Sequence, residues 1–307
     1  MSDRLTVLAW HNVERTWMSP MAPGSGVRGF EAQVRKLRRV ATIVPLARSL
    51  EDMRAGRPLP PRAVALTFDD GYQDNLDLAV PILERYGLPA TFFLVPGLLN
   101  RKVRHVPELL NWAYARSPKA TIEWRGRVLK TRGRGPDTTW SVVGDTLRPL
   151  PWAELEPAVD DLLERLEPVG DQAQVGLKFM DGDGAAELVR RGFEIGSHTM
   201  RHAVMANEDP SDQRRDMAES KAWLERAFDV PVTTLAYPFG RTADFGEAGE
   251  RSAEAAGYGH AFSTQLGVNT PSTSRHAMHR IALEPNHGFP WQVWRRVVWL
   301  AERKLRR

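Results

Sequence analysis

The sequence predicts a parallel α/β fold on three observations: short apolar runs of strand length, amphipathic stretches between them, and turns bearing Asp or His directly after the runs. Leu5 to Trp10 is the first run and has strand composition. Phe30 to Ala41 places Phe30, Val34, Leu37 and Ala41 on one face, with Arg35, Lys36, Arg38 and Arg39 elsewhere, and reads as a helix. Ala63 to Phe68 is a buried strand ended by Asp69-Asp70-Gly71, Asn75 to Tyr86 is a helix stopped by Gly87, and Ala90 to Val95 is the next strand. Strand, helix, strand in this order is the unit from which parallel sheets are built.

From about residue 97 to 177 the regularity changes. Pro107 to Arg116 reads as a helix, Thr121 to Lys130 as a hairpin turning at Arg125-Gly126, and Trp152 to Leu166 as a helix, which together make an inserted α+β segment. Alternation then resumes with a helix at Ala185 to Arg191, a strand at Phe193 to Ser197, a helix from Ser211 to Phe228 and a strand at Thr233 to Tyr237. A helix near Glu247 to Ala256 and a strand at Ala261 to Ser263 follow. The last element, Trp291 to Lys304, is an amphipathic helix carrying three Trp and several Arg. The 307 residues are therefore read as one domain spanning 1–307, enlarged at about 97–177 and ended by a helix at about 290–305.

Composition narrows the function classes. With 42% apolar and 26% charged residues the chain is a globular protein, and no window approaches the run of about 20 apolar residues that a membrane-spanning helix needs. The six-residue run at Leu5 to Trp10 is too short for the apolar core of a signal peptide, so the sequence as given reads as cytoplasmic. Lys and Arg number 42 against 38 Asp and Glu, with signs mixed along the chain, which does not favour a nucleic-acid partner. Cysteine is absent, so disulfides, thiolate metal sites and cysteine nucleophiles are excluded, and any metal must sit on carboxylates and the 8 His. Trp outnumbers Tyr by 10 to 5, a hint of surfaces on which sugar rings stack.

Three constellations carry chemistry. Leu66-Thr67-Phe68-Asp69-Asp70-Gly71-Tyr72 puts two carboxylates at the carboxyl end of a buried strand, where α/β folds place their sites. Adjacent carboxylates resist joint ionisation unless a cation lies between them or one serves as a base, although an Asp-Asp-Gly helix cap would look the same. Ile195-Gly196-Ser197-His198-Thr199-Met200-Arg201-His202 again follows a strand, and histidines at i and i+4 lie on one face of a helical turn. With a strand-end carboxylate they make a site of two His and one carboxylate, open to water. Leu235-Ala236-Tyr237-Pro238-Phe239-Gly240 is a strand stopped by Pro and Gly, whose irregular backbone can present a free N–H to an oxyanion. Sequence signatures of serine hydrolases, P-loops, dinucleotide sites and His-Glu-x-x-His metalloproteases are absent.

In this order, Thr67-Phe68-Asp69-Asp70-Gly71, His198-Thr199-Met200-Arg201-His202 and Tyr237-Pro238-Phe239-Gly240 resemble the first three motifs of the polysaccharide deacetylases, the NodB-homology or carbohydrate esterase family 4 enzymes. The resemblance covers roughly residues 60–100 and 175–285. It implies a distorted (β/α) barrel and hydrolysis of N-acetyl groups from an amino-sugar polysaccharide, oligosaccharide or glycolipid. It also implies one divalent metal ion, zinc first, with cobalt, nickel or manganese as alternatives. By the same match Asp69 is the general base, Asp70, His198 and His202 are the metal ligands, and the backbone N–H of Phe239 holds the oxyanion.

Two departures stand out. The family carries an Arg two residues before the Pro of the third motif, where this chain has Ala236; Arg280, in His279-Arg280-Ile281, is a candidate substitute for orienting the base. The family's late Leu-x-His, source of the general acid, has no counterpart, since His276, His279 and His287 lack that context. The permuted branch that resembles poly-N-acetylglucosamine deacetylases carries this His on its first strand, and Ala9-Trp10-His11-Asn12-Val13 is similar, which assigns the acid to His11. A His that merely closes a strand with a bonded ring is the other reading of that residue. Two further function classes stay open: a carbohydrate-binding relative without catalysis, and an amidase acting on a small non-sugar amide. The terminal helix either packs on the body or lies on an anionic membrane surface, with Trp291, Trp294, Val298, Ala301 and Leu305 on one face among Arg and Lys neighbours.

Overall fold

The computed structural model describes residues 2–133 and 144–285. The expected terminal helix at about 290–305 and His287 lie outside these residues. Among the described residues an 8-stranded parallel sheet organises the chain. Its strands are β1 (Leu5–Trp10), β2 (Thr42–Ile43), β3 (Ala63–Phe68), β4 (Thr91–Leu94), β7 (Glu194–Ser197), β8 (Thr234–Ala236), β9 (His260–Phe262) and β10 (Ile281–Ala282), while β5 (Thr121–Trp124) and β6 (Arg127–Lys130) form a separate antiparallel hairpin. The spatial order is β10-β1-β3-β4-β7-β8-β9, with β2 paired to β3. Phe262 at the end of β9 bridges Met278, just ahead of β10, so the two edges of the sheet meet in a distorted barrel.

Alternation along the strands separates two cores. Leu5 and Val7 of β1, Ala63 and Ala65 of β3, Phe93, Ala236, Phe262 and Met278 fill the barrel interior. The intervening Leu8, Trp10, Val64, Leu66 and Phe68 face the surrounding helices. Those helices include α1 (Ser25–Val40), α3 (Val80–Arg85) and, later in the chain, Pro210–Phe228 and Thr242–Ala255, whereas α2 (Leu46–Arg54) packs Leu46, Leu50 and Met53 against the interior set. Helix α1 starts five residues before the predicted Phe30, because Val27 also packs on the core. Helix α2 was not predicted from the periodicity. The predicted continuous helix from Asn75 differs too: its first turn, Asn75–Ala79, is a π-helix in which Val80 N–H bonds Asn75 C=O, and Pro81, with no N–H, follows directly.

Between β4 and β7 the chain builds a third apolar cluster. After the short helix α4 (Pro96–Leu99), helix α5 (Val106–Arg116), the β5–β6 hairpin and α6 (Trp152–Leu166) bury Leu109, Trp112, Ile122, Trp124, Val159 and Leu162 against one another. The indole of Trp124 donates to Asp161 at 2.9 Å, tying hairpin to helix. No helix of the described residues is long and apolar enough to cross a membrane.

One glycine sets how closely two central strands approach. Gly196 of β7 lies in register with Phe93 of β4, and a Cβ at 196 would sit 2.4 Å from the Phe93 ring and 2.9 Å from Thr234 Oγ1. Gly196→Ala is therefore expected to lower stability by about 1–3 kcal/mol through overpacking, read as a fall in Tm by thermal denaturation. An unchanged Tm would show that the strands can part at no cost.

Candidate active site

The site gathers at the carboxyl ends of β1, β3, β7 and β8. Because Trp10 pairs with Phe68, the next residues, His11 and Asp69, lie side by side. Asp69 continues the inward alternation of Ala63, Ala65 and Thr67, and is 2% exposed. Asp70 and Gly71 both take left-handed backbone, with φ of 70° and 74°, which turns the second carboxylate away from the first.

Asp69 Oδ1 receives Arg280 Nη1 at 2.7 Å, and both side chains are almost fully buried. Arg280 rises through the barrel interior with its guanidinium 5.5 Å from the Phe93 ring, and its Nε donates to Ser263 C=O at 3.2 Å. Burial alone would raise the Asp69 carboxyl, but the Arg280 charge and hydrogen bond, with His198 and His11, hold it below the ordinary carboxylate value. A base in this setting is ionised at neutral pH. Ala236 stands where the motif arginine is expected; it is buried in β8, and its carbonyl accepts His198 Nδ1 at 2.7 Å.

Asp70 Oδ1 lies 3.2 Å from His198 Nε2 and 3.1 Å from His202 Nε2. The Ala236 carbonyl can only accept, so His198 Nδ1 carries the hydrogen and Nε2 presents its lone pair, the orientation that metal-bound imidazoles adopt. A carboxylate oxygen and two imidazole nitrogens this close require a proton or a metal cation between them. Asp70 Oδ1 is buried with no hydrogen-bond partner, so the three residues fit a divalent ion. Burial opposes ionisation of Asp70, yet His202, His105 and His198 hold its carboxyl well below the ordinary range. Against burial, the charges of Asp69 and Asp70 keep His198 above its ordinary value, whereas burial pushes His202 down to about 4.

The two histidines do not share a helical turn, as their spacing had suggested. Thr199 and His202 take φ of 64° and 58°, so residues 198–202 form a loop. Asp216 on the helix Pro210–Phe228 shapes it by accepting Met200 N–H at 2.7 Å and Arg201 Nε at 2.8 Å. The spacing converges on one carboxylate through this anchored loop rather than through helical geometry.

Phe239 also has positive φ, 60°, and its N–H meets no acceptor among the described residues. Its ring is 5.3 Å from that of His202. His11 is partly exposed and stands beside Asp69 at the neighbouring strand end. Asn75, from the π-helical turn, donates to its carbonyl at 2.7 Å and fixes the strand end. Of the other histidines, His276 bonds the Tyr258 carbonyl at 2.9 Å and His279 packs against Gly267, so both are spent elsewhere. One site residue was not found in the sequence: His105, 4% exposed, places Nε2 3.6 Å from Asp70 Oδ2. Nothing in periodicity or spacing links position 105 to position 70. A cavity of about 330 Å³ opens beside His202 and Phe239, walled by Leu110 and by Leu147, Leu150, Trp152 and Leu155.

Comparison with known proteins follows the same lines. The family model described as polysaccharide deacetylase matches residues 56–124 and 156–259. The putative polysaccharide deacetylase YxkH of Bacillus subtilis is 23% identical over 288 residues, 92% of this chain and 72% of that protein. The poly-beta-1,6-N-acetyl-D-glucosamine N-deacetylase of Escherichia coli K12 is 36% identical over 112 residues, 35% of this chain and 17% of its own length. Among solved structures, the Streptococcus pyogenes deacetylase PplD in complex with acetate superposes with a TM-score of 0.62 at 16% identity, covering 95% of this chain and 99% of that one. IcaB from Ammonifex degensii gives 0.60 at 17% identity, covering 96% and 97%.

Proposed function

This chain belongs to the polysaccharide deacetylase family, and from that premise we propose that it removes N-acetyl groups from an amino-sugar polymer of the poly-N-acetylglucosamine kind, with Asp69, Asp70, His198 and His202 at the centre. The observation that carries the reading is the division of labour between the adjacent carboxylates: Asp69 is hydrogen-bonded to Arg280, while Asp70 faces the Nε2 atoms of His198 and His202. One is equipped as a base and the other as a ligand. The relative acting on poly-beta-1,6-N-acetyl-D-glucosamine supports the substrate class.

Asp70, His198 and His202 would hold the divalent metal, for which zinc suits a site of two imidazoles and a carboxylate. When bound, such an ion supplies Lewis acidity toward the acetyl carbonyl and lowers the pKa of water toward ~7. Asp69, ionised beside Arg280, takes the proton from the attacking water. The free N–H of Phe239 donates to the oxygen on which negative charge develops. His11, at the neighbouring strand end, gives a proton to the departing amine, a poor leaving group without it. The cavity beside His202 and Phe239, built largely from the stretch between β6 and β7, shapes what else of the substrate enters.

The test is acetate release by the purified, metal-loaded protein from N-acetylglucosamine oligomers and from simple amides. Release from oligomers is expected; release from simple amides alone would make it a small-amide amidase, and binding of oligomers without release a carbohydrate-binding relative. Removing the ion with a strong chelator is expected to abolish release, and adding zinc back to restore it; activity that survives complete removal would overturn the ligand assignment.

A further inference from the structure

We propose that His105 is not a fourth metal ligand but a positioning residue, whose Nε2–H is aimed at Asp70 Oδ2 and keeps Asp70 Oδ1 turned toward the ion. The inference rests on the reading of Asp70 as a ligand. Distance alone points the other way, since ligand atoms of Asp70, His105 and His202 all lie within 4.8 Å of one another, as a metal-binding triad would. The ring hydrogens separate the two roles.

His105 caps helix α5: its Nδ1 accepts the backbone N–H of Glu108 at 3.2 Å. A backbone N–H can only donate, so Nδ1 is bare and the ring hydrogen sits on Nε2. This is the reverse of His198, whose Nδ1 is held by a carbonyl and whose Nε2 is bare. A nitrogen bearing hydrogen donates to an anion and cannot ligate a cation. The acceptor facing it is Asp70 Oδ2 at 3.6 Å, just beyond hydrogen-bonding range, as is common for site contacts that tighten only when all partners are in place. Nε2 is buried and has no other partner.

The ring cannot turn to exchange its nitrogens without breaking the cap. It lies 4.8 Å from the Phe179 ring and 5.0 Å from the His202 ring, centre to centre. Glu108, fully buried, locks the helix end that His105 caps: Oε1 accepts Tyr72 O–H at 3.0 Å, and Oε2 accepts Trp17 N–H at 2.9 Å and Met18 N–H at 3.2 Å. The start of α5 is thereby tied both to the turn after β3 and to the loop after β1.

Two variants separate the roles. His105→Asn keeps an acceptor for the helix cap but is too short to place an N–H where Nε2 stands, while His105→Gln restores an N–H near that position. Zinc affinity is measured by competition with a chromophoric chelator, and cobalt-loaded protein is examined by its visible spectrum. Affinity is expected to fall about 10- to 100-fold in His105→Asn and to recover in His105→Gln, with cobalt bands of His105→Gln matching the native protein because the ligand set is unchanged. Native affinity in His105→Asn overturns the proposal, as does a His105→Gln spectrum showing a lost nitrogen ligand. The spectrum decides even if the Asn variant fails to fold. Native protein that binds no divalent ion sinks the metal reading and this inference together, whereas native binding with indifferent His105 variants sinks this inference alone.

Discussion

Asp69→Asn is expected to bind metal at native stoichiometry and to lose about 10²- to 10⁴-fold in kcat, the range a positioned base contributes. The amide is nearly isosteric, and its oxygen can still accept Arg280 Nη1 where Asp69 Oδ1 does now at 2.7 Å. What it lacks is the capacity to take a proton from water. His198→Ala supplies the contrast, since it removes one of the two nitrogens facing Asp70 Oδ1 and is expected to lose metal and turnover together. Acetate release and elemental analysis on the same preparations distinguish the two outcomes. An Asp69→Asn protein with native turnover would remove Asp69 from the mechanism.

Arg280→Met should show the largest effect on stability, about 3–5 kcal/mol, because it leaves the Asp69 carboxylate buried without its counter-charge. Turnover falls with it, since the base loses the contact that aims it. The pH dependence has a definite sign. Burial is the largest influence on Asp69 and raises its carboxyl, while Arg280 is the main influence that lowers it. In the native protein the depressed value contributes stability above the ordinary carboxylate pKa, and this is lost as pH falls through the folded-state value. Without the guanidinium the carboxyl moves up, so the acid limb of kcat/KM moves to higher pH. Combining Arg280→Met with Asp69→Asn removes both charges, and the double variant is expected to melt above Arg280→Met alone. A double variant that melts lower would mean that Arg280 acts through packing on Phe93 rather than through charge.

The elements legible in the sequence were those whose cause is local. Strands β1 and β3 coincide with the predicted runs, and the hairpin turns at Arg125-Gly126 as its composition indicated, with φ of 49° and 73° there. The residues following β3, β7 and β8 were singled out as chemical because a carboxylate, a His pair and a Pro-Gly stop are visible without any knowledge of packing. Helix α2 was missed although it buries Leu46, Leu50 and Met53. The His198 to His202 segment was misassigned to a helical turn because i, i+4 spacing suits a helix, and nothing in the segment announces the anchoring by Asp216.

By itself, then, the sequence determined the chemistry on offer: no thiols, a strand-end pair of carboxylates, two histidines four apart, and a parallel α/β frame to carry them. Only the tertiary structure decided which group does what. Arg280 reaches Asp69 across 211 positions because Arg280, just ahead of β10, and Asp69, just after β3, come together on either side of β1 once β10 pairs with β1 and β1 with β3. The roles of His198 and His105 depend on whether a carbonyl or an N–H meets Nδ1, and that partner is chosen by the packing of β8 in one case and the start of α5 in the other. Composition specifies which side chains are present, whereas protonation, tautomer and pairing depend on distances that arise only when segments remote in the chain are brought together.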